Sequence, residues 1–384
     1  MKYKWHIIGL LSINLLMGCL NAQPYKSEPQ LVEAKDVLLT EVVKDKNFLA
    51  CLTEHEFKRT FDVTRLECPN KGIKSVEGIT NFKNLVWLNI SSPEFESDSN
   101  DPDAISFMRP AKGEPNKILS IDLRNNRELS YLNLNGNQIS QLNLSQNLKL
   151  TDLNATGNKL TNIELEKNIE LYSVNLSGNK ISKADLTPSI VNLDLSNNKL
   201  KSLDLSQSSY LRGLNIDSNH FTSLDLSKNT KLSALTASNN RFKSIDLSNN
   251  KFMKYLELQG NQLSQIQIDH IPVLDFVDLS NNRLSSISIN KSDHPDIYLR
   301  NLFLSNNLFK NIDVTRYLGL EELYLDGNQI NSIDLRQNSA LINLNLLDNP
   351  INSVDVSTNT KLEYFYRERS IKCKGLPCNL AFEE

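Results

Sequence analysis

One asparagine recurs down the chain at a nearly constant step and leaves few folds open: Asn137, Asn158, Asn179, Asn198, Asn219, Asn240, Asn261, Asn282, Asn307, Asn328 and Asn349. The step is 21 residues except between Asn179 and Asn198 and between Asn282 and Asn307. Apolar positions recur between the rungs with equal regularity, as in Leu211, Leu214, Ile216, Asn219, Phe221, Leu224, Leu226 and Asn229. Each unit is therefore two similar halves, L-x-x-L-x-L-x-x-N followed by x-L-x-x-L-D-L-x-x-N. Self-similarity at a short fixed period marks a stacked-repeat architecture, whose length grows by adding units and not domains.

The L-x-L core of each half alternates apolar and polar residues, as a strand with one buried face does. A helical crossover needs a dozen or more residues, and only a few separate the two halves. The expected coil is flat, with two short strands per turn stacked on their counterparts, so that two parallel sheets form. Each rung asparagine follows a strand, where its amide can donate to and accept from inward-facing turn backbone. Its expected role is structural.

The pattern resembles the leucine-rich-repeat family, and within it the nested 21-residue bacterial class (IRREKO) in which both half-repeats carry the L-x-L strand; the resemblance runs from about Val63 to Phe365. It implies a right-handed solenoid. The stretch 63–90, VTRLECPNKGIKSVEGITNFKNLVWLNI, is similar to the N-terminal region of internalin-like bacterial surface proteins, where a short helical cap leads into the first coils. In register with the repeats, Leu66 and Cys68 take inward positions. Leu31, Ala34, Val37, Leu38, Glu41 and Val42 have helix-like spacing, so residues 30–62 are expected to form the cap. The solenoid then occupies 63–365 and a C-terminal cap 366–384, closed by Leu362 and Phe365.

The first residues form an export signal: Lys2 and Lys4, then an apolar stretch from Ile7 to Leu16, too short to span a bilayer comfortably. Leu16, Met17, Gly18 and Cys19 resemble the lipobox of bacterial lipoproteins. That implies a signal peptide over 1–18, lipidation of Cys19, and a tether over 19–29 that anchors the protein without spanning the membrane. The alternative is a signal peptide cut after Ala22. Leu20 is not the Asp that favours inner-membrane retention in Gram-negative lipoproteins, so the resemblance points to the outer membrane. Without lipidation the protein would be secreted or periplasmic.

Cys51, Cys68, Cys373 and Cys378 stand at the two ends of the array, in a chain bound for an oxidising compartment. The array holds one pair far from the other, so Cys51 is expected to pair with Cys68 and Cys373 with Cys378. No pair has metal-like spacing with histidines alongside, which argues against zinc. A formal charge of −3 with no long basic run argues against nucleic acid. His55, His220, His270 and His294 are scattered, and no nucleophile elbow, phosphate loop or metal motif occurs. The chain reads as a binding module with no cofactor or metal and not as an enzyme, and as a monomer.

Departures from the repeat carry the functional information, because insertions in a solenoid emerge as surface loops. One insertion runs from about 91 to 115, and a second adds residues around Lys291 to Arg300. A two-residue deletion lies at Thr187-Pro188. The outward positions of the second strand are monotonous, with Asp204, Asp225, Asp246, Asp313, Asp334 and Asp355. Side by side these carboxylates would point in parallel, which does not suit calcium.

Outward positions of the first strand are small and polar at Asn133, Asn154, Asn175, Asp194 and Asn215, and then change. Tyr255 and Phe276 share a column, Phe303 and Tyr324 continue one column over, and Glu257, Asp278, Glu322 and Asp326 surround them. Aromatics are common interface anchors and also stack on sugars. They equally stabilise sheets by cross-strand stacking. This patch is the candidate site, for a protein partner or a glycan; a purely structural envelope spacer is the other class.

Overall fold

The computed structural model describes residues 33–93, 95–97, 108–110, 112–289 and 298–380, with backbone only for 95–97 and 108–110. The export signal, Cys19, the tether, residues 98–107 of the insertion and His294 with its loop lie outside the described residues. Among those described, no helix is long and apolar enough to cross a membrane.

Fourteen three-residue strands, from Arg65–Glu67 to Tyr364–Tyr366, form one parallel sheet in which each coil bonds to the next. The middle residue of each strand points inward, and Leu66, Leu132, Leu235 and Leu323 are all fully buried. The register holds across both irregular coils. Asn192–Asp194, after the deletion, pairs in step with Ser173–Asn175 and Gly213–Asn215. Phe276–Asp278 pairs in step with Asn301–Phe303 across the longer coil. Length variation is therefore absorbed outside the sheet. Within the first insertion Phe95–Ser97 pairs antiparallel with Met108–Pro110.

The rung asparagines tie the coils together from inside. Asn158 Oδ1 accepts the Ile139 N–H of the preceding coil at 3.0 Å, while its Nδ2 donates to Leu134 O of that coil and Ala155 O of its own at 3.0 and 3.1 Å. The same set recurs from Asn137 to Asn349. The residue before each rung has a positive φ, and it is Gly at 136, 157, 178, 260 and 327, Asn at 197, 239, 281 and 306, Asp at 348 and Ser at 218. Gly, Asn and Asp, which fill ten of the eleven positions, tolerate the left-handed region that the turn requires.

A second buried ladder lines the other turn. Asn168 Nδ2 donates to Leu144 O at 3.0 Å and to Asn147 O at 2.9 Å, both on the preceding coil. Asn147, Asn229, Asn250, Asn338 and Asn359 repeat the arrangement. Where the sequence departs, another side chain reaches the equivalent carbonyl: the His270 ring Nε2 lies 2.9 Å from Leu247 O, and Tyr317 Oη donates to Ile289 O at 3.2 Å.

The expectation of a second full sheet is corrected. Among the described residues, second half-repeats pair only at Asn162–Glu164 with Lys183–Asp185 and at Ser353–Asp355 with Lys372–Lys374, apart from a single bridge between Ile268 and Ile289. The recurring Asp instead turns its carboxylate onto the N–H two residues on, as Asp204 does to Ser206 and Asp225 to Ser227, both at 2.9 Å. The same Asx turn closes most strands of the long sheet, so it caps the second half-repeat locally. The same backbone bonds hold the carboxyls of Asp204, Asp225 and Asp246 below their ordinary range. Arg336 draws Asp334 down to about 2. The aspartate column is thus a set of turn caps.

The cap is also less helical than its spacing suggests. Among the described residues of the cap, α-helices span Leu39–Val42 and Lys46–Glu54, and a single 3-10 turn spans Thr60–Asp62. Residues before them are extended because Val37 and Thr60 exchange backbone and hydroxyl hydrogen bonds and Leu38 bridges Arg59. Asp45 caps the longer helix at Asn47 and Phe48 and also accepts Lys74 N and Ser75 N, fastening the helix to the first coil. Cys51 and Cys68, both fully buried, are disulfide-bonded with Cα atoms 6.0 Å apart. At the far end Cys373 is bonded to Cys378, and Leu362 and Phe365 are buried.

The second ladder makes a direct prediction. Asn168→Ala removes one of the two hydrogen bonds at each of two buried carbonyls, leaving Leu144 O to Asn147 N and Asn147 O to Leu150 N, which should cost about 1–3 kcal/mol at about 0.5–1.5 per bond. Asn249→Ala, at an exposed neighbouring-turn position, should change stability by less than about 0.5 kcal/mol. Urea unfolding followed by circular dichroism separates the two; equal effects would mean that the amide ladder carries no special weight.

Candidate interaction face

Outside the buried middle residue, each strand of the long sheet presents two side chains, and the register stacks them in two columns. In the first column Tyr255 lies opposite Phe276, and Asn301 and Glu322 follow. In the second, Glu257 is opposite Asp278, Asp278 opposite Phe303, and Phe303 opposite Tyr324. The expected shift of the aromatics from one column to the next is therefore present. Tyr255 is the most open, at 47%. Phe276, Phe303 and Tyr324 are half-buried against each other: the Phe276 and Phe303 rings are 5.2 Å apart and the Phe303 and Tyr324 rings 4.9 Å, the latter stacked.

Turn chemistry gives these positions weight. Most second-column residues are Asn or Asp whose Oδ1 accepts the N–H two residues on, as Asn133, Asn154, Asn175, Asp194, Asn215 and Asn345 do. Asn and Asp are thus the local structural solution there. Glu67, Thr236, Glu257, Phe303, Tyr324 and Tyr366 depart from it. Asp278 does not, since it accepts Ser280 N at 2.9 Å.

The carboxylates beside the aromatics are crowded. Burial raises the Glu257 carboxyl above its ordinary range, and the charges of Asp217 and Asp278 add to the rise. Burial also raises Asp278, against the Ser280 hydrogen bonds, and Asp217, against Ser238 N at 2.6 Å. Further along, Asn343 donates to Glu322 at 3.2 Å and Ser305 to Asp326 at 2.6 Å. Tyr324 is raised by burial, then by Glu322. The face is aromatic and acidic together.

Other surface aromatics escaped the sequence reading. Trp87 and Tyr131 head the first column, stacked at 3.5 Å with the Arg65 guanidinium 4.3 Å from the Trp87 ring. Tyr364 and Tyr366 end the sheet. Extending the same column alignment to both ends of the chain would have found them. Tyr210, Phe252 and Tyr298, exposed at 54, 64 and 59%, lie on the turn that leads into the sheet. They fall outside the L-x-L window and so outside the alignment.

Among the described residues one His/Cys/Asp/Glu group is close enough to hold a metal: Cys51, His55 and Cys68. Its two sulfurs are joined in a disulfide, and a disulfide is not a thiolate ligand. The described histidines all meet backbone carbonyls: His55 that of Glu67, His220 that of Asn219 and His270 that of Leu247, each at 2.9 Å. Two hollows of about 270 and 310 Å³ adjoin Gln265 and Gln267 on the second half-repeats. The aromatic run is a surface and not a cleft.

No protein-family model matches the sequence, and no sequence among curated proteins does. Among solved structures the chain is similar to the functional domain of InlJ from Listeria monocytogenes, which includes a cysteine ladder. Identity there is 24%, 88% of this chain and 78% of that one are covered, and the TM-score is 0.65. With the internalin InlF, also from Listeria monocytogenes, identity is 18% over 91% of this chain and 99% of that one, with a TM-score of 0.61. A leucine-rich-repeat protein of Leptospira interrogans gives 20%, 82%, 98% and 0.51 in the same order. At such identities the likeness is one of fold, and the fold is the parallel β-solenoid of internalin-like leucine-rich-repeat proteins, with about fourteen turns.

Proposed function

We propose that the open face of the long sheet binds a protein partner, with Tyr255, Phe276, Phe303 and Tyr324 as anchors and Glu257 and Asp278 as the acidic flank. The observation that carries this reading is the replacement of turn-forming Asn or Asp by Phe303 and Tyr324, in contact with Phe276. Sheet stabilisation alone does not require it, since the other coils stay in register with small polar residues at the same positions. Aromatic anchors beside half-buried carboxylates suit a partner that offers apolar and cationic side chains together. The protein acts by binding and carries out no catalysis. It works as a monomer held at the cell envelope through a lipid on Cys19, on the outer membrane.

Three outcomes follow. Peptides selected from a random display library on the folded chain should be rich in Lys or Arg and apolar residues. Their affinity should drop at least tenfold when the four aromatics are replaced together by Ala with the circular dichroism spectrum unchanged. Selected binders that ignore those substitutions would sink the site.

The second outcome concerns pH. Because Glu257, Asp278 and Asp217 are raised, they take up protons on acidification before ordinary carboxylates do, so cationic peptides should weaken from that point downward. The stability sign is opposite. A carboxyl raised in the fold binds more protons folded than unfolded, so its charge destabilises above the raised value and that penalty disappears as pH falls through it. Glu257→Gln should therefore raise the melting temperature at neutral pH and not in acid. An equal rise at both would refute the crowding.

The third is localisation. Cells fed radiolabelled palmitate should label the wild-type chain and not Cys19→Ser; label on both would remove the anchor.

A further inference from the structure

The turn leading into the sheet carries a regularity of its own. On alternate coils it reads aromatic, buried apolar, cation: Tyr210-Leu211-Arg212, Phe252-Met253-Lys254 and Tyr298-Leu299-Arg300. The middle residues are fully buried, and the outer two of each triplet are exposed. The intervening coils carry Lys231-Leu232-Ser233 and Val273-Leu274-Asp275 and break the pattern. Each triplet is thus a rigid unit with a ring and a charge facing water.

The spacing of the units is set by backbone. Ser233 N donates to Arg212 O, Lys254 N to Ser233 O, Asp275 N to Lys254 O and Arg300 N to Asp275 O, at 2.8 to 3.0 Å. Two such steps separate successive triplets, roughly 9–10 Å at the usual strand spacing. Lys231 Nζ sits 4.5 Å from the Tyr210 ring centroid and adds a cation between the first two rings. Arg300 is held by Asp275, with Nε 2.8 Å from Oδ1. Arg212 and Lys254 enter no ion pair among the described residues.

A row of exposed rings and cations on a two-coil period calls for a linear, anionic, periodic ligand. An extended peptide repeats its face every two residues, about 6.8 Å, and does not match. A β-1,4-linked pyranose ribbon turns each ring over relative to the last, so the same apolar sugar face returns after two residues, a distance comparable to two coils. We propose that this edge is a second binding surface, distinct from the aromatic face of the sheet, and that it takes a β-1,4-linked polyuronate laid along the stack. Sugar faces rest on Tyr210, Phe252 and Tyr298, and carboxylates meet Arg212 and Lys254.

The test is affinity electrophoresis of the full chain through gels containing β-1,4-linked polymannuronate. Polyguluronate, with the same charge but a buckled ribbon, and hydroxyethylcellulose, with the same linkage but no charge, serve as comparators. Polymannuronate should retard the protein, and the other two should bind at least tenfold more weakly. The pairs Tyr210→Ala with Phe252→Ala, and Arg212→Gln with Lys254→Gln, should each weaken retardation at least tenfold with the circular dichroism spectrum unchanged. Tyr255→Ala with Phe276→Ala should leave it intact, whatever happens to peptide binding on the sheet face. No retardation by polymannuronate, equal retardation by polyguluronate, or loss in the Tyr255 and Phe276 variant would overturn the assignment.

Discussion

Everything in this molecule depends on how buried turn backbone is satisfied. A flat coil of about twenty residues must turn twice, and each turn aims N–H and C=O groups at an apolar interior where an unpaired group is costly. Asparagine meets the need because one side chain carries both an acceptor and two donors. At the rung after each sheet strand the amide accepts from one coil and donates to two, so it is a link between neighbours as well as a local cap. In the second turn only the donors are used, and the Oδ1 atoms of Asn147, Asn168, Asn250 and Asn338 find no partner. That asymmetry explains why the second turn admits substitutes. Tyr317 supplies a hydroxyl at the asparagine position itself, and His270 a ring nitrogen from the residue before it, where Ile271 replaces asparagine.

Once the coils are locked, every outward position becomes a column, and the chemistry of a column separates structure from recognition. The aspartates of the second half-repeat look like a charged surface in the sequence, but each spends its carboxylate on the next turn. The Asn and Asp of the second sheet column do the same. Against this background Phe303 and Tyr324 stand out because they give up a hydrogen bond that Asp278 and Asn345 on either side keep. The three crowded carboxylates are held near one another by the same rigidity.

The two surfaces differ in sign although they adjoin. The sheet face combines aromatics with carboxylates, whereas the leading edge combines aromatics with Arg212, Lys231 and Lys254. Arg300, paired with Asp275, stands on the boundary between them. A formal charge of only −3 conceals this sorting. Composition averages over surfaces that ligands meet one at a time.

The repeat, the buried L-x-L residues, the rung ladder, the two disulfides and the shift of the aromatics between columns were all legible in the sequence, because a fixed period converts position directly into side-chain direction. What a period cannot specify is whether neighbouring backbones come into hydrogen-bonding register. The second half-repeats share the L-x-L pattern and the same closing turn and yet, among the described residues, pair in only a few places. The cap spacing suggested helix from residue 30 onward, but contacts with residues 58 to 60, distant in sequence, draw residues 35–38 into an extended path. The leading-edge triplets were present as letters and invisible as a surface. Their alignment depends on backbone bonds between coils, which only the stacked structure supplies.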